Sequence, residues 1–270
     1  MYQLTQINIY PIKSLGRITL TSAFAGEKGL QYDRRWMLVD ANNRFITQRE
    51  NHLMATIGVA MDESGFKLFD KNNPLKKYSL PFAVHSGQRS RVVIWNDECD
   101  AFLFEDAINK WLQETLNMDC RLVYMPDDSN RYVDNKYAMQ NETVSFADGY
   151  PVLIIGETSL QDLNNKLDVP VPMNRFRPNF VFSGGNAFEE DSWKEIKIGE
   201  AIFNGVKLCG RCVITTIDQD SGHASKEPLR TLSQYRKVEN NVYFGQNLVV
   251  STPGTVKLND EIVLSSATIK

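Results

Sequence analysis

The run "KLCGRCVITTIDQDSG", residues 207–222, sets Cys209 and Cys212 around Gly210 and Arg211. Two thiols at that spacing serve one of three chemistries: half of a zinc site, a redox dithiol, or a single thiolate ligand beside a bystander. A closed structural zinc site needs a second close pair of ligands. Cys99 and Cys120 are far apart in sequence, and His52, His85 and His223 show no metal-pair spacing. A redox dithiol sits at the start of a helix whose N-terminus depresses the pKa of the first thiol. Here Val213, Ile214, Thr215 and Thr216 follow, which is the composition of a strand. The third chemistry survives: one thiolate beside Arg211, whose guanidinium favours the charged sulfur that a soft metal prefers.

A second set of residues could bind an anion. "YPIKS" (residues 10–14), "YDRRWMLV" (32–39) and "NRFRPNFV" (174–181) each put Lys or Arg with hydroxyl or amide neighbours where a strand passes into a loop. Taken singly, an arginine next to an aromatic is more commonly a surface pair or a cation–π contact. Together they could converge on a phosphate-bearing ligand through charge-assisted, bidentate contacts. The formal charge of −3 and pI near 5.7 give no global attraction to nucleic acid or an anionic membrane, so such a site must be local.

These residues need a scaffold, and a chain of 270 residues with 42% hydrophobic and 23% charged content can bury a full core. The first residues lack the pattern of a signal peptide. No window reaches the ~18 to 20 apolar residues of a membrane span. A soluble, cytoplasmic protein is expected, with its four cysteines reduced rather than paired. Hairpins are expected in "RRWMLVDANNRFITQ" and "IGVAMDESGFKLFD", and the same texture returns in "WKEIKIGEAIFNGVKL" and "NLVVSTPGTVKLNDEIVL". Strands recurring without regular intervening helices favour antiparallel sheets or barrels over a doubly wound fold. Two helices stand out. One carries Phe104, Ile108, Trp111, Leu112 and Leu116 on one face; the other places a capping box, Thr158 with Gln161, ahead of Leu160, Leu163 and Leu167. The polar stretch 126–142 suggests a boundary, giving β-rich modules over 1–125 and 126–270 in a mainly β, α+β chain.

"CGRCVITTIDQDSG", then "SKEPLRTLSQYR" and "FGQNLVV", together with "PIKS", "DRRWMLV", "FADGYPVLIIGETSLQDLN" and "NRFRPNFVFSGG", resembles the MOSC-domain proteins of the mitochondrial amidoxime reducing component type and their bacterial relatives. The likeness covers nearly the whole chain, in several separated motifs in the right order. It implies an N-terminal MOSC β-barrel-like domain, a C-terminal MOSC barrel, and a molybdenum cofactor, that is, a molybdopterin whose metal is also held by one protein cysteine. The family's ligand is the second cysteine of the C-x-R-C run, here Cys212. Lys13 and Ser14 match its pterin-binding pair, Arg34 the Arg of its "DR" motif, Arg177 that of its F-R-P-N motif, and Arg211 the Arg beside the ligand. Asp148 matches an Asp at the cofactor, and Asn247 of "FGQNLVV" belongs to the same implied set. Gly149 and Tyr150 stand where better known members carry small hydroxyl residues, and Gly210 replaces a Ser.

The implied reaction is reduction of an N-hydroxylated small molecule, such as an amidoxime or N-hydroxylated base, to the amine. Cys209 is then a neighbour rather than a ligand. Two other functions are compatible with the resemblance: a sulfur carrier with a persulfide on Cys212, and a carrier that hands on the molybdenum cofactor without catalysis. The sequence holds no C-x4-C-x2-C set for an iron–sulfur cluster. Electrons are expected from a separate donor protein, whether a flavoprotein, a ferredoxin-like protein or a b-type cytochrome.

Overall fold

The computed structural model describes residues 1–82, 87–104 and 106–265; His85 and the end of "DEIVLSSATIK" lie outside them. The chain is mainly β with a few helices, and seven strands close into a barrel. Around it run Val152–Gly156, Phe180–Ser183, Tyr2–Ile9, Glu261–Leu264, Glu195–Ile198, Ala201–Arg211 and Asn241–Thr252, which pairs again with Val152–Gly156. Only Val152–Gly156 and Phe180–Ser183 are parallel in this ring. A parallel pair needs a long crossover, and the helix Glu157–Asn164 lies in it. The barrel interior is filled by inward residues of every strand, among them Leu4, Ile7, Phe180, Phe182, Ile196, Phe203, Leu248 and Ile262.

Ile18–Leu20, Ser22–Gly26 and Gly29–Leu30 stay with the barrel, and the strands between Trp36 and Tyr124 form a second body. Its four-stranded sheet runs Trp36–Val39, Arg121–Tyr124, Asp97–Leu103, Arg89–Ile94, beside a meander of Ile57–Asp62, Gly65–Asp70 and Asn73–Leu80. The helix Asp106–Leu116 covers it: Ile108, Leu112 and Leu116 are buried against Trp36, Leu38, Phe66 and Leu122, with Trp111 and Phe104 at the margin. The first strand belongs to the barrel, although it is followed in sequence by the other body. After Ile9 the chain crosses over: Lys13 N–H donates to the Trp36 carbonyl at 2.8 Å, and Ile12 bridges Trp36. The segment around Lys13 and Ser14 is therefore a seam between the bodies.

Several local expectations are met. "IGVAMDESGFKLFD" and "WKEIKIGEAIFNGVKL" are hairpins in full register, and "RRWMLVDANNRFITQ" closes on a single bridge between Val39 and Phe45. Others are corrected. "NLVVSTPGTVKLNDEIVL" makes three strands that do not pair with one another: Gly254–Lys257 joins Ser22–Gly26, and Glu261–Leu264 joins Tyr2–Ile9 and Glu195–Ile198. The Thr158–Gln161 capping box does not form. Gly156 is the N-cap, so Thr158 is already inside the helix, and its hydroxyl has no partner. Val213–Thr216 is a turn of 3-10 helix rather than a strand, because the long strand has ended at Arg211. Within the polar stretch 126–142, Ser129, Arg131 and Val133 are buried.

Candidate functional site

Three of the proposed site residues have left-handed backbones that side-chain-bearing residues seldom adopt: Ser14 at φ 68°, Arg34 at 49° and Arg177 at 54°. Each such residue costs on the order of 1 kcal/mol and survives only where its surroundings enforce it. All three stand at the seam. Arg34 N–H donates to the Tyr10 carbonyl, and Phe146 N–H donates to the Arg34 carbonyl, both at 2.9 Å, so the segments carrying Lys13, Arg34 and Asp148 are stitched together.

Into this seam opens a cavity of about 800 Å³. Lys13, Ser14, Arg34, Asp148, Gly149, Arg177, Gly210, Arg211, Cys212 and Asn247 all line it, so the structure brings together every residue proposed for the site. Eight basic side chains line it against three carboxylates, a local excess of positive charge in an acidic chain. Tyr10, almost fully buried, lies against two of the cations, with the guanidinium carbons of Arg34 and Arg177 each 4.2 Å from its ring centre. Arg34 is fixed by the buried carboxylate of Asp33 at 2.6 Å, by the Asn179 side chain and by the Arg177 carbonyl. Arg211 donates to the carbonyls of Phe244 and Phe176 at 2.8 and 2.9 Å.

The ammonium of Lys13 donates to the Phe146 carbonyl at 2.8 Å and to Asp148. Burial pushes Lys13 down to about 8, although Asp148 pulls the other way. Burial likewise lowers Arg177 to about 10. Asp148 is 53% exposed on the cavity wall. Burial opposes its charge, but Lys13 and Arg49 overcome that and hold it well below the usual carboxylate range. Solvent at so open a carboxylate weakens both pairs, so Asp148 is better seen as a counterion than as a source of stability.

The two thiols of the opening run differ. Cys209 lies within the strand Ala201–Arg211, packs at the edge of the cluster containing Phe176 and Phe244, and has its thiol pKa raised by burial. Cys212 follows the strand's end. Its Sγ accepts a hydrogen bond from Arg49 Nη2 at 3.3 Å, and the same nitrogen donates to Asp148 at 3.0 Å. Cys99 and Cys120 lie in two separate hydrophobic clusters, with no role at this cavity.

The residues present fit a large anionic group. Arg49 Nη1, Arg175 Nε, Arg177 Nη2 and Arg211 Nη2 are buried donors with no partner among the described residues, and such donors are costly unless a ligand completes them. A Cβ built on Gly149 would meet nothing within 4 Å, and one on Gly210 only Asn241 Oδ1 at 3.8 Å. The backbone there is bare to the cavity, and a serine at either position would be accommodated.

Sequence reasoning missed Arg49, Arg131 and the Gln48–Gln219 pair. Arg131 is 4% exposed, pairs with Asp97 at 2.7 Å, and donates to the carbonyls of Ser145, Ala147 and Asp148, which shapes the loop bearing Asp148. The carboxamides of Gln48 and Gln219 bond reciprocally at 3.1 and 3.0 Å; Gln48 also donates to the Ser14 carbonyl, and Gln219 accepts from Arg177. Polar tracts such as "TQRE" and "DDSNRYVD" look solvated in sequence, and nothing local marks their residues as buried.

A seven-stranded barrel joined to a smaller β-rich body, with a cation-lined cavity at their seam that Cys209 and Cys212 both line, defines a MOSC protein with its N-terminal partner domain. Residues 1–119 match the MOSC N-terminal beta barrel domain and residues 141–263 the MOSC domain, and the chain belongs to this family. Mitochondrial amidoxime-reducing component 1 of Mus musculus is 32% identical over 281 aligned positions, spanning 96% of this chain and 81% of that protein. Its Homo sapiens counterpart is 31% identical, with 96% and 82% coverage. The molybdenum cofactor sulfurase of Oryza sativa is 30% identical over 90% of this chain, which spans 32% of that larger protein.

Proposed function

We propose that this chain is a molybdenum-cofactor-dependent oxidoreductase that reduces N-hydroxylated compounds to amines. The observation that carries the reading is the Cys212 sulfur, hydrogen-bonded by Arg49 at a cavity where four arginines, Arg49, Arg175, Arg177 and Arg211, hold unsatisfied donors. When bound, the cofactor would supply a two-electron metal centre able to accept oxygen from an N–OH group. Overall, R–NH–OH with two electrons and two protons gives R–NH2 and water. Cys212 is assigned as the protein ligand to the metal. Lys13, Ser14, Arg34, Arg177, Arg211 and Asn247 would hold the molybdopterin, with the bare backbone at Gly149 and Gly210 allowing close approach. Arg49 and Asp148 fix the position of the sulfur, and Arg131 fixes the loop that carries Asp148.

The electrons would come from a separate donor protein, since the sequence holds no cysteine set for a cluster. Among the described residues no helix is long and apolar enough to cross a membrane, and all four cysteines are unpaired. That pattern supports a reducing compartment, and we place the protein in the cytoplasm. Similarity to the sulfurase keeps one competitor, a persulfide carrier using Cys212. The test is elemental analysis of the purified protein together with turnover of an N-hydroxylated base using a chemical reductant. Stoichiometric molybdenum with turnover supports the reductase; a persulfide on Cys212 without turnover replaces it with the sulfur carrier.

A further inference from the structure

The strands Arg89–Ile94 and Asp97–Leu103 are joined by only two residues, Trp95 and Asn96, with Ile94 paired to Asp97. Trp95 has a φ of 56°. The first position of such a turn calls for left-handed backbone, which Asn and Gly adopt easily and a bulky aromatic does not. The strain is not repaid in the core, since Trp95 is 41% exposed and lines the cavity. Its ring is backed by the Arg49 guanidinium, 4.8 Å from the ring centre, and by the Phe45 ring at 4.9 Å. Arg49 is the residue that touches Cys212 Sγ. The turn is also pinned. Asp97, just after it, pairs with buried Arg131, which grips the loop bearing Asp148.

A strained, exposed indole is thus held in place one guanidinium away from the candidate metal ligand. We propose that Trp95 is a specificity-determining residue: its exposed face stacks on the planar, π-conjugated part of an N-hydroxylated substrate and selects aromatic substrates over small or aliphatic ones. The inference rests on the reductase reading of the site. Eleven of the thirty residues of the wall are charged, and Trp95 offers a flat apolar surface whose contact needs no hydrogen bond. The cation behind it leaves its open face to an aromatic ring, for which offset stacking is favoured.

The test compares the protein as purified with Trp95→Asn and Trp95→Phe. Asn suits the left-handed turn, so the variant should fold at least as well, and Phe restores a ring. For an N-hydroxylated aromatic amidine, Trp95→Asn should raise KM about tenfold with much less change in kcat. The kcat/KM ratio of that substrate to hydroxylamine should fall by a similar factor, and Trp95→Phe should recover most of it. An equal loss with both substrates, or no recovery by Phe, would overturn the proposal in favour of a structural role. If no N-hydroxylated compound is turned over, the reductase reading fails, and stacking is judged by calorimetry with the same amidine. About tenfold weaker binding to Trp95→Asn sustains it; equal binding, or none to the parent protein, ends it.

Discussion

Lys13→Met should reverse the usual sense of a loss-of-function substitution, improving the fold at neutral pH while emptying the site. Lys13 has a side chain 6% exposed and a pKa lowered from 10.5 to about 8 by burial. That difference corresponds to about 3 kcal/mol of unfavourable free energy for keeping the ammonium charged in the folded protein. Below about pH 8 the folded and unfolded chains both carry the proton, and the full cost is present. Between about 8 and 10.5 the folded chain has released it while the unfolded chain still binds it, so stability rises with pH. Met cannot titrate. The stability of the parent relative to Lys13→Met should therefore climb by roughly 2 to 3 kcal/mol from about pH 7 to about pH 10. Taking the difference cancels Arg177 and the buried cysteines, which titrate in both proteins. Urea denaturation of the cofactor-free proteins across that range gives the result. A difference independent of pH would show that Lys13 is solvated in the folded state, and the account of a preloaded cationic site would fall.

Cys212→Ala should abolish reduction of N-hydroxylated bases, whereas Cys209→Ala should keep activity and cost ~1 kcal/mol of stability; equal loss of activity in both would refute the single-ligand assignment. Arg177→Met removes a cation held by Tyr10 and Gln219 but by no carboxylate, so it should reduce the molybdenum and pterin retained after purification and leave thermal stability nearly intact. Arg34→Ala should also lose cofactor, but at a further ~3 to 5 kcal/mol in stability, because Asp33 would be left charged and fully buried. Gly210→Ser should change stability by no more than ~0.5 kcal/mol, since the nearest atom to an added Cβ is 3.8 Å away; a larger loss by thermal denaturation would mean the strand end is more crowded than the geometry indicates.

What the sequence made legible follows from the range of each interaction. Alternation and turn residues are local signals, and they locate "IGVAMDESGFKLFD" and "WKEIKIGEAIFNGVKL" as hairpins without knowledge of the rest. They cannot show that Tyr2–Ile9 sits beside Glu261–Leu264, because that pairing joins opposite ends of the chain. At the site, composition and charge established only that an anion site had to be local; the particular residues came from the order of motifs. Arg49 and Arg131 escaped because a buried arginine differs from a surface one only in its partners, Asp148 and Cys212 for one, Asp97 and three carbonyls for the other. Val213–Thr216 was misread for a related reason. Its β-branched composition suits a strand, but the ladder stops at Arg211, where Val242 is the last partner.

The backbone strain and the surplus charge point to a common physical origin. Ser14, Arg34, Trp95 and Arg177 each hold a left-handed conformation, and each lines the same cavity. Strain of that kind is enforced by the surrounding structure and gathers at binding sites, although Tyr32, Phe188 and Glu239 carry it away from this cavity. The cations repeat the pattern: Arg49 and Arg131 both add to the lowering of the Lys13 pKa, with Asp148 as the carboxylate that Lys13 and Arg49 share. A fold selected for stability alone would relax these turns and dilute that charge. Donors fixed in advance in this way would let an anionic ligand meet groups that need no rearrangement. Cys212 follows the end of a strand, and among the described residues Arg49 is the cation hydrogen-bonded to its sulfur. Under the proposed function, holding the pterin and setting the metal would be separable tasks, carried by the seam's cations on one side and by the end of a single strand on the other.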